Sequence, residues 1–131
     1  MTLKEDIRNL EDITLLVNTF YSRIRENELL APLFNDRIQD RWPQHLEKMV
    51  RFWQTVLLEE HTYNGAPFMP HANMPLVEEH FNSWVNTWCN TVDDLFYGPL
   101  AEEAKWRGNR MATMFLSKIE YYRGNNAIPL L

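Results

Sequence analysis

The chain has 131 residues, 45% of them hydrophobic, and a net charge of -5, which suits one domain over residues 1–131 with a sizeable core. The acidic balance, with no long basic run, argues against a nucleic-acid surface. A single cysteine, Cys89, excludes an internal disulfide and a cysteine-based zinc cluster. The charged N-terminus lacks an apolar signal core and prolines break the longest uncharged stretch, so we expect a cytoplasmic protein with no membrane span.

Apolar residues recur at helical spacing and predict four principal helices, at 10–26, 42–60, 76–96 and 99–122. No alternation typical of strands persists, so the expected fold class is all-α. Residues 27–34 read as a short turn of helix limited by Pro32, and residues 35–40 as a polar loop. The tail, residues 123–131, contains Gly124 and Pro129 and is expected to be frayed.

The stretch from residue 63 to residue 75 interrupts this helical pattern. Pro67, Pro70 and Pro75 allow no more than a turn or two of helix between them. His71 lies on this braced segment, between two long amphipathic helices. A histidine in such a place can be held facing a cavity.

Several common sites are absent from the sequence. There is no Gly-rich phosphate loop, no Gly-x-Ser-x-Gly elbow and no His-Glu-x-x-His. A di-iron bundle would need Glu-x-x-His pairs, which are also missing. A zinc site needs three or four convergent ligands, so it would require the fold to gather His71, His80 and carboxylates.

A haem site needs fewer protein ligands than a zinc site, because one neutral imidazole can bind the iron and an apolar slot can hold the macrocycle. His71 is the candidate iron ligand. Walls are available from Phe34, Phe52, Trp53 and Phe68, and hydrogen-bond donors from Tyr21, Trp84 and His45. Each has an ordinary alternative: Tyr21 could be a core tyrosine bonded to a backbone carbonyl, and His45 a packed or partly exposed residue. His61, beside a helix C-terminus, reads as structural.

Five sequence words together resemble the truncated haemoglobins, most closely their third group. They are FYSRIREN (20–27), LAPLF (30–34), WPQHLEKMVRFWQTVLL (42–58), YNGAPFMPH (63–71) and HFNSW (80–84). The resemblance implies a two-over-two helical sandwich around haem b, with His71 as proximal ligand. It makes Tyr21 and Trp84 distal donors and His45 a possible gate. Cofactor contacts are expected from Phe34, Phe52, Trp53, Phe68 and Tyr63.

This resemblance leads us to expect a monomer that binds diatomic gases (O2, NO, CO) at a penta-coordinate iron. Two or three donors around the ligand would slow oxygen release, which favours redox chemistry such as nitric-oxide dioxygenation or peroxidase-like turnover over bulk delivery. Such turnover needs a reductase. The alternatives are a non-catalytic oxygen carrier or gas sensor, and a haem-free helical interaction module.

Overall fold

The computed structural model describes residues 3–68, 71 and 74–124, without the side chains of residues 122 and 124. These residues form five α-helices and no strand. They are α1 (Leu10–Glu26), α2 (Ala31–Ile38), α3 (Trp42–Leu58), α4 (Glu78–Leu95) and α5 (Pro99–Gly124). The prediction of an all-α fold is therefore confirmed. None of these helices combines the length and the apolar character that crossing a membrane would demand.

The predicted bounds of α1 agree with the structure, and those of α3, α4 and α5 differ by two residues or fewer at each end. α3 ends early because Glu59 turns to a left-handed backbone conformation, with φ of 59°. Of the predicted frayed tail, residues 123 and 124 are instead the last two residues of α5, and residues 125–131 lie outside the described residues.

The prediction of a polar loop at residues 35–40 is wrong. α2 continues through Ile38, whose side chain is buried. Pro32 stands in the first turn of this helix, where a proline ring is already suited to helical geometry. Pro32 therefore starts the helix and does not limit its length, contrary to the prediction from sequence.

The helices pack as two pairs. α1 lies against α3, α4 lies against α5, and α1 also contacts α4, which joins the pairs. Residues spaced by three or four along each helix supply the core, as the apolar stripes predicted. The most deeply buried large side chains are Trp88, Phe20, Ile7, Ile13, Leu16, Ile24, Leu30 and Ile119.

The segment before α1 is tied to the start of α5 by one carboxylate. Asp6 accepts hydrogen bonds from the backbone N–H of Leu100 at 2.9 Å and of Ala101 at 2.8 Å. These are first-turn N–H groups that have no partner within their own helix. Gly98, with φ of 145°, lies so close that a Cβ there would meet the Asp6 side chain at 2.6 Å. Asp6 thus caps a helix that begins more than 90 residues later.

The link between α3 and α4 carries His71. Thr55 fixes the start of this link, because its hydroxyl accepts hydrogen bonds from the N–H groups of Thr62 and Tyr63. His71 itself lies in a tight turn in which its N–H donates to the Phe68 carbonyl at 2.9 Å. The predicted turn of helix at 67–73 also includes residues 69, 70, 72 and 73, which lie outside the described residues.

Candidate functional site

A cavity of about 430 Å³ opens between α2, α3, the 59–77 link, α4 and α5. Its wall is largely apolar and aromatic, as in pockets that hold flat organic cofactors. Eight of the nine residues predicted to contact a cofactor or its ligand line this cavity. They are Tyr21, Phe34, His45, Phe52, Trp53, Tyr63, His71 and Trp84.

Phe68 is the ninth, and it is not among the residues that line the cavity. Its ring packs edge to face on Phe115, with centroids 5.4 Å apart, in a second apolar cluster. The His71 ring also lies against Phe115, at 5.0 Å. Phe68 therefore belongs to the packing behind His71.

The His71 ring has one nitrogen committed to the backbone. Its Nδ1 lies 2.7 Å from the carbonyl oxygen of Pro67. A carbonyl only accepts hydrogen bonds, so Nδ1 carries the proton and donates, and the lone pair of the neutral ring is on Nε2. Burial lowers the pKa of His71, and Arg37 lowers it further, against the opposing effect of the Pro67 hydrogen bond. His71 is thus a neutral imidazole in the tautomer suited to metal ligation.

His80 also lines the cavity, but its Nδ1 accepts a hydrogen bond, whereas that of His71 donates one. Its Nδ1 lies 3.0 Å from the backbone N of Val77, which is a donor only. Nδ1 must therefore accept, and the neutral ring carries its proton on Nε2. His80 caps the start of α4 and has no lone pair left for a metal. Among the described residues, no group of three His, Cys, Asp or Glu side chains is placed to hold a metal ion.

Two hydrogen-bond donors on the cavity wall have no partner among the described residues. The Tyr21 side chain is 6% exposed and burial raises its pKa, so the hydroxyl is protonated at all ordinary pH values. Within the described residues it forms no hydrogen bond, which removes the alternative of a core tyrosine bonded to a backbone carbonyl. The Trp84 indole likewise has no partner there. In contrast, the Nε1 of Trp42 donates to Asn35 and that of Trp88 to the Ala104 carbonyl.

His45 is the third polar group on this wall. It lies one turn into α3, and its Nε2 is buried with no hydrogen-bond partner among the described residues. Burial is the main cause that lowers the pKa of His45 to about 4, with smaller contributions from Lys48 and His71. The ring is therefore neutral near pH 7. The electrostatic effect of His71 on His45 is consistent with the two rings sharing one cavity.

Basic residues on the cavity wall were missed by sequence reasoning. Arg37, Arg41 and Lys48 all line the cavity. Arg41 is held in place by the carbonyls of Ile38 and Arg37, at 3.2 and 2.7 Å. Their spacing could have indicated this position. Arg41 lies four residues before His45 and Lys48 three residues after it, which places both near His45 on the helix surface.

α5 supplies a further part of the wall that was not predicted. Met111, Ala112 and Phe115 line the cavity from this helix. They belong to the apolar stripe that was predicted for 99–122, but such a stripe does not distinguish core contacts from cavity contacts. Only the packing of α5 on α4 shows which of its residues reach the site.

A crystal structure of a group III truncated haemoglobin from Campylobacter jejuni superposes with a TM-score of 0.82, at 27% identity, over 89% of this chain and 95% of that one. No protein-family model matches the chain. The five helices have the fold of a truncated haemoglobin.

The sequence is also similar to that of a truncated haemoglobin of the third group. The group 3 truncated haemoglobin Ctb of Campylobacter jejuni is 28% identical over 127 residues, which cover 94% of this chain and all of the relative. The chain is therefore similar in both sequence and fold to truncated haemoglobins of the third group. This agrees with the resemblance carried by the five sequence words.

Proposed function

We propose that this protein binds haem b in the cavity, where His71 Nε2 would hold the iron. The observation that carries the proposal is the His71–Pro67 hydrogen bond, because it leaves the Nε2 lone pair of a buried, neutral imidazole available on a cavity wall. His80 cannot take this role without breaking its bond to Val77. The donor set fits haem, which needs one such nitrogen from the protein.

The rest of the wall fits the remaining parts of the cofactor. Aromatic rings of Phe34, Phe52 and Trp53 offer flat apolar surface for a macrocycle. Phe52 is itself held between Trp53 and Tyr63, with ring centroids 5.2 Å apart in both pairs. Arg37, Arg41 and Lys48 would pair with the two propionate carboxylates of haem b, because charge-assisted hydrogen bonds to carboxylates are strong.

When bound, the haem would supply an iron that takes diatomic gases. Tyr21, Trp84 and His45 then provide three polar groups, without partners in the described part of the chain, in a confined, largely apolar space. Tyr21 and Trp84 donate hydrogen bonds, and donors fixed in a dry pocket favour a ligand that takes on negative charge. His45 contributes a hydrogen bond whose direction depends on which nitrogen carries the proton.

This distal arrangement favours oxygen and nitric-oxide redox chemistry, such as nitric-oxide removal or peroxidase-like turnover, over bulk oxygen delivery. Several donors hold a polarised ligand strongly, and a carrier must release its ligand quickly. The proposal places the protein in the cytoplasm, as a monomer supplied with electrons by a reductase. The alternative is a non-catalytic oxygen carrier or gas sensor, which would bind the same gases without turnover.

Optical spectroscopy tests the first part of this proposal. Protein purified with haem should show a Soret band, with ferric, ferrous and carbon-monoxide spectra typical of histidine ligation and a ferrous form that is penta-coordinate. A protein that takes up no haem under these conditions would overturn the proposal. Turnover of nitric oxide or peroxide with an added reductant, measured against the same protein without reductant, separates an enzyme from a carrier.

A further inference from the structure

Three of the five tryptophans form a continuous stack beside the cavity. Trp53 and Trp88 are stacked with centroids 4.4 Å apart and planes inclined by 21°. Trp84 and Trp88 follow at 6.0 Å and 17°. Trp53 and Trp84 line the cavity, whereas Trp88, fully buried, lies between them and does not. We call these three residues the indole stack.

The two tryptophans outside the stack each have a cation over the ring. The guanidinium of Arg25 lies 4.6 Å from the Trp42 ring centroid, and those of Arg107 and Arg110 lie 5.4 and 5.3 Å from that of Trp106. Within the described part of the chain, no such contact is found for the members of the indole stack. A fixed positive charge disfavours a second one nearby. Loss of an electron is therefore harder at Trp42 and Trp106 than in the stack.

The Trp88 indole is also placed to carry positive charge. Its Nε1–H donates to the Ala104 carbonyl at 2.8 Å, and a hydrogen bond to an acceptor favours the charged form of a donor. Burial opposes a charge at this position. Contact between parallel rings offsets this cost, because the charge is shared over several indoles.

Close packing fixes the position of Trp88 in the stack. A Cβ added to Gly108 on α5 would meet the Trp88 ring at 2.5 Å. Phe20 packs edge to face against Trp88 at 5.0 Å and against Trp84 at 5.4 Å. The indoles are therefore held in register from two sides.

We propose that the indole stack donates one electron to the haem site during the reduction of hydrogen peroxide. The inference rests on the proposed function. Over a full cycle, peroxide takes up two electrons and two protons and leaves as two water molecules. The stack supplies one of these electrons and keeps its N–H proton, so it becomes an indole cation radical. Two equivalents of an external one-electron reductant complete the cycle: one supplies the other electron, and the second reduces the stack.

Tyr21 is the main competing donor, since it also lines the cavity. Oxidation of a tyrosine requires its phenolic proton to leave, and the Tyr21 hydroxyl has no acceptor among the described residues. Burial also disfavours its deprotonation, as the raised pKa of Tyr21 indicates. An indole needs no such proton transfer. The stack is therefore the more accessible donor.

Electron paramagnetic resonance on rapidly frozen samples tests the inference. The ferric haem-loaded protein is mixed with hydrogen peroxide, with ring-deuterated tryptophan in one preparation and ring-deuterated tyrosine in another. We expect an organic radical whose lines narrow with labelled tryptophan and not with labelled tyrosine. In Trp88→Phe its yield per haem should fall about tenfold or more, which for one electron corresponds to ~59 mV.

Trp106→Phe is the control variant, because Trp106 lies outside the cavity wall and has Arg107 and Arg110 over its ring. It should keep the radical yield of the unmodified protein. An unchanged Soret band and carbon-monoxide affinity in Trp88→Phe would show that the cavity is intact. Peptide mapping should place oxygen adducts at the indole stack and not at Trp106, although Trp106 is half exposed.

Two outcomes would overturn the inference while leaving the proposed function in place. One is a haem-loaded protein whose radical responds to labelled tyrosine, and the other is a radical yield equal in Trp88→Phe and the unmodified protein. If Trp88→Phe does not fold, the labelling of the unmodified protein decides alone. A protein that binds no haem would overturn both.

Discussion

The rings of Tyr21 and His45 meet edge to face, with centroids 5.0 Å apart and planes inclined by 85°. Trp42 packs on His45 at 5.7 Å and on Tyr21 at 5.9 Å, also edge to face. His45 is therefore held inward by aromatic rings while its Nε2 remains without a partner among the described residues. This arrangement makes the orientation of His45 sensitive to its protonation.

We predict that carbon monoxide associates faster as the pH falls from about 6.5 towards 4. The pKa of the inward ring is about 4, whereas a solvated histidine has a pKa of about 6.5. A group whose buried pKa is lowered favours the buried position when neutral and leaves it when protonated. Protonation thus turns His45 outward and opens the cavity. The rise begins below pH 6.5, because the inward position resists protonation.

Rapid mixing with carbon monoxide is the measurement, since this ligand accepts hydrogen bonds weakly. His45→Ala should associate quickly at every pH and lose the dependence. Lys48→Met is a useful comparison, because Lys48 contributes to lowering the His45 pKa. Its transition should move to higher pH. An association rate that is independent of pH in the unmodified protein, and equal to that of His45→Ala, would show that His45 is not a gate.

Tyr21→Phe and Trp84→Phe should each change the rate of oxygen dissociation by about tenfold or more. A hydrogen bond to a charged acceptor contributes roughly 1.5–3 kcal/mol, and about 1.4 kcal/mol is a factor of ten. Because donors in one network compensate for each other, the effect of the double substitution should differ from the product of the single effects.

Stopped-flow displacement of oxygen measures these rates. Tyr97→Phe is a control, because Tyr97 is 77% exposed and lies outside the cavity wall. Unchanged dissociation in both single variants and in the double variant would rule out Tyr21 and Trp84 as distal donors.

Asp6→Ala should lower the free energy of unfolding by about 1–2 kcal/mol, as loss of a helix cap does elsewhere. The carboxylate accepts from two first-turn N–H groups of α5, and its removal leaves both without that partner. Urea unfolding followed by circular dichroism is the measurement. Glu5→Ala should change stability by less than about 0.5 kcal/mol, because its ion pair with Arg8 is exposed. Equal stability of the two variants would contradict the capping role.

Sequence reasoning located much of the fold because the apolar periodicity of α1, α3, α4 and α5 reports directly on buried faces. It failed at α2, where Pro32 has two possible meanings and eight residues give too little periodicity to choose between them. Local pattern also singled out His71, because three prolines mark its segment. Which nitrogen of the His71 ring carries the proton was not predictable, since this depends on the position of the Pro67 carbonyl.

Residues that converge from distant parts of the chain were harder to predict. Phe68 was expected on the cavity wall, yet it packs on Phe115, nearly 50 residues away, and is not among the lining residues. Arg37, Arg41 and Lys48 look like ordinary surface residues in sequence, and only the cavity gives them a shared position. The stacking of Trp53 on Trp88 likewise depends on how α3 and α4 meet within the core.

The most direct test of the account is the optical spectrum of His71→Gly with and without imidazole. Without imidazole, this variant should lose haem or hold it loosely, because the imidazole proposed to bind the iron is gone. Added imidazole should restore the spectrum by filling the space of the missing ring. His80→Ala, which removes the cap of α4, should keep normal haem ligation. A histidine-ligated spectrum in His71→Gly without imidazole, together with its loss in His80→Ala, would contradict the assignment of His71 as the haem ligand.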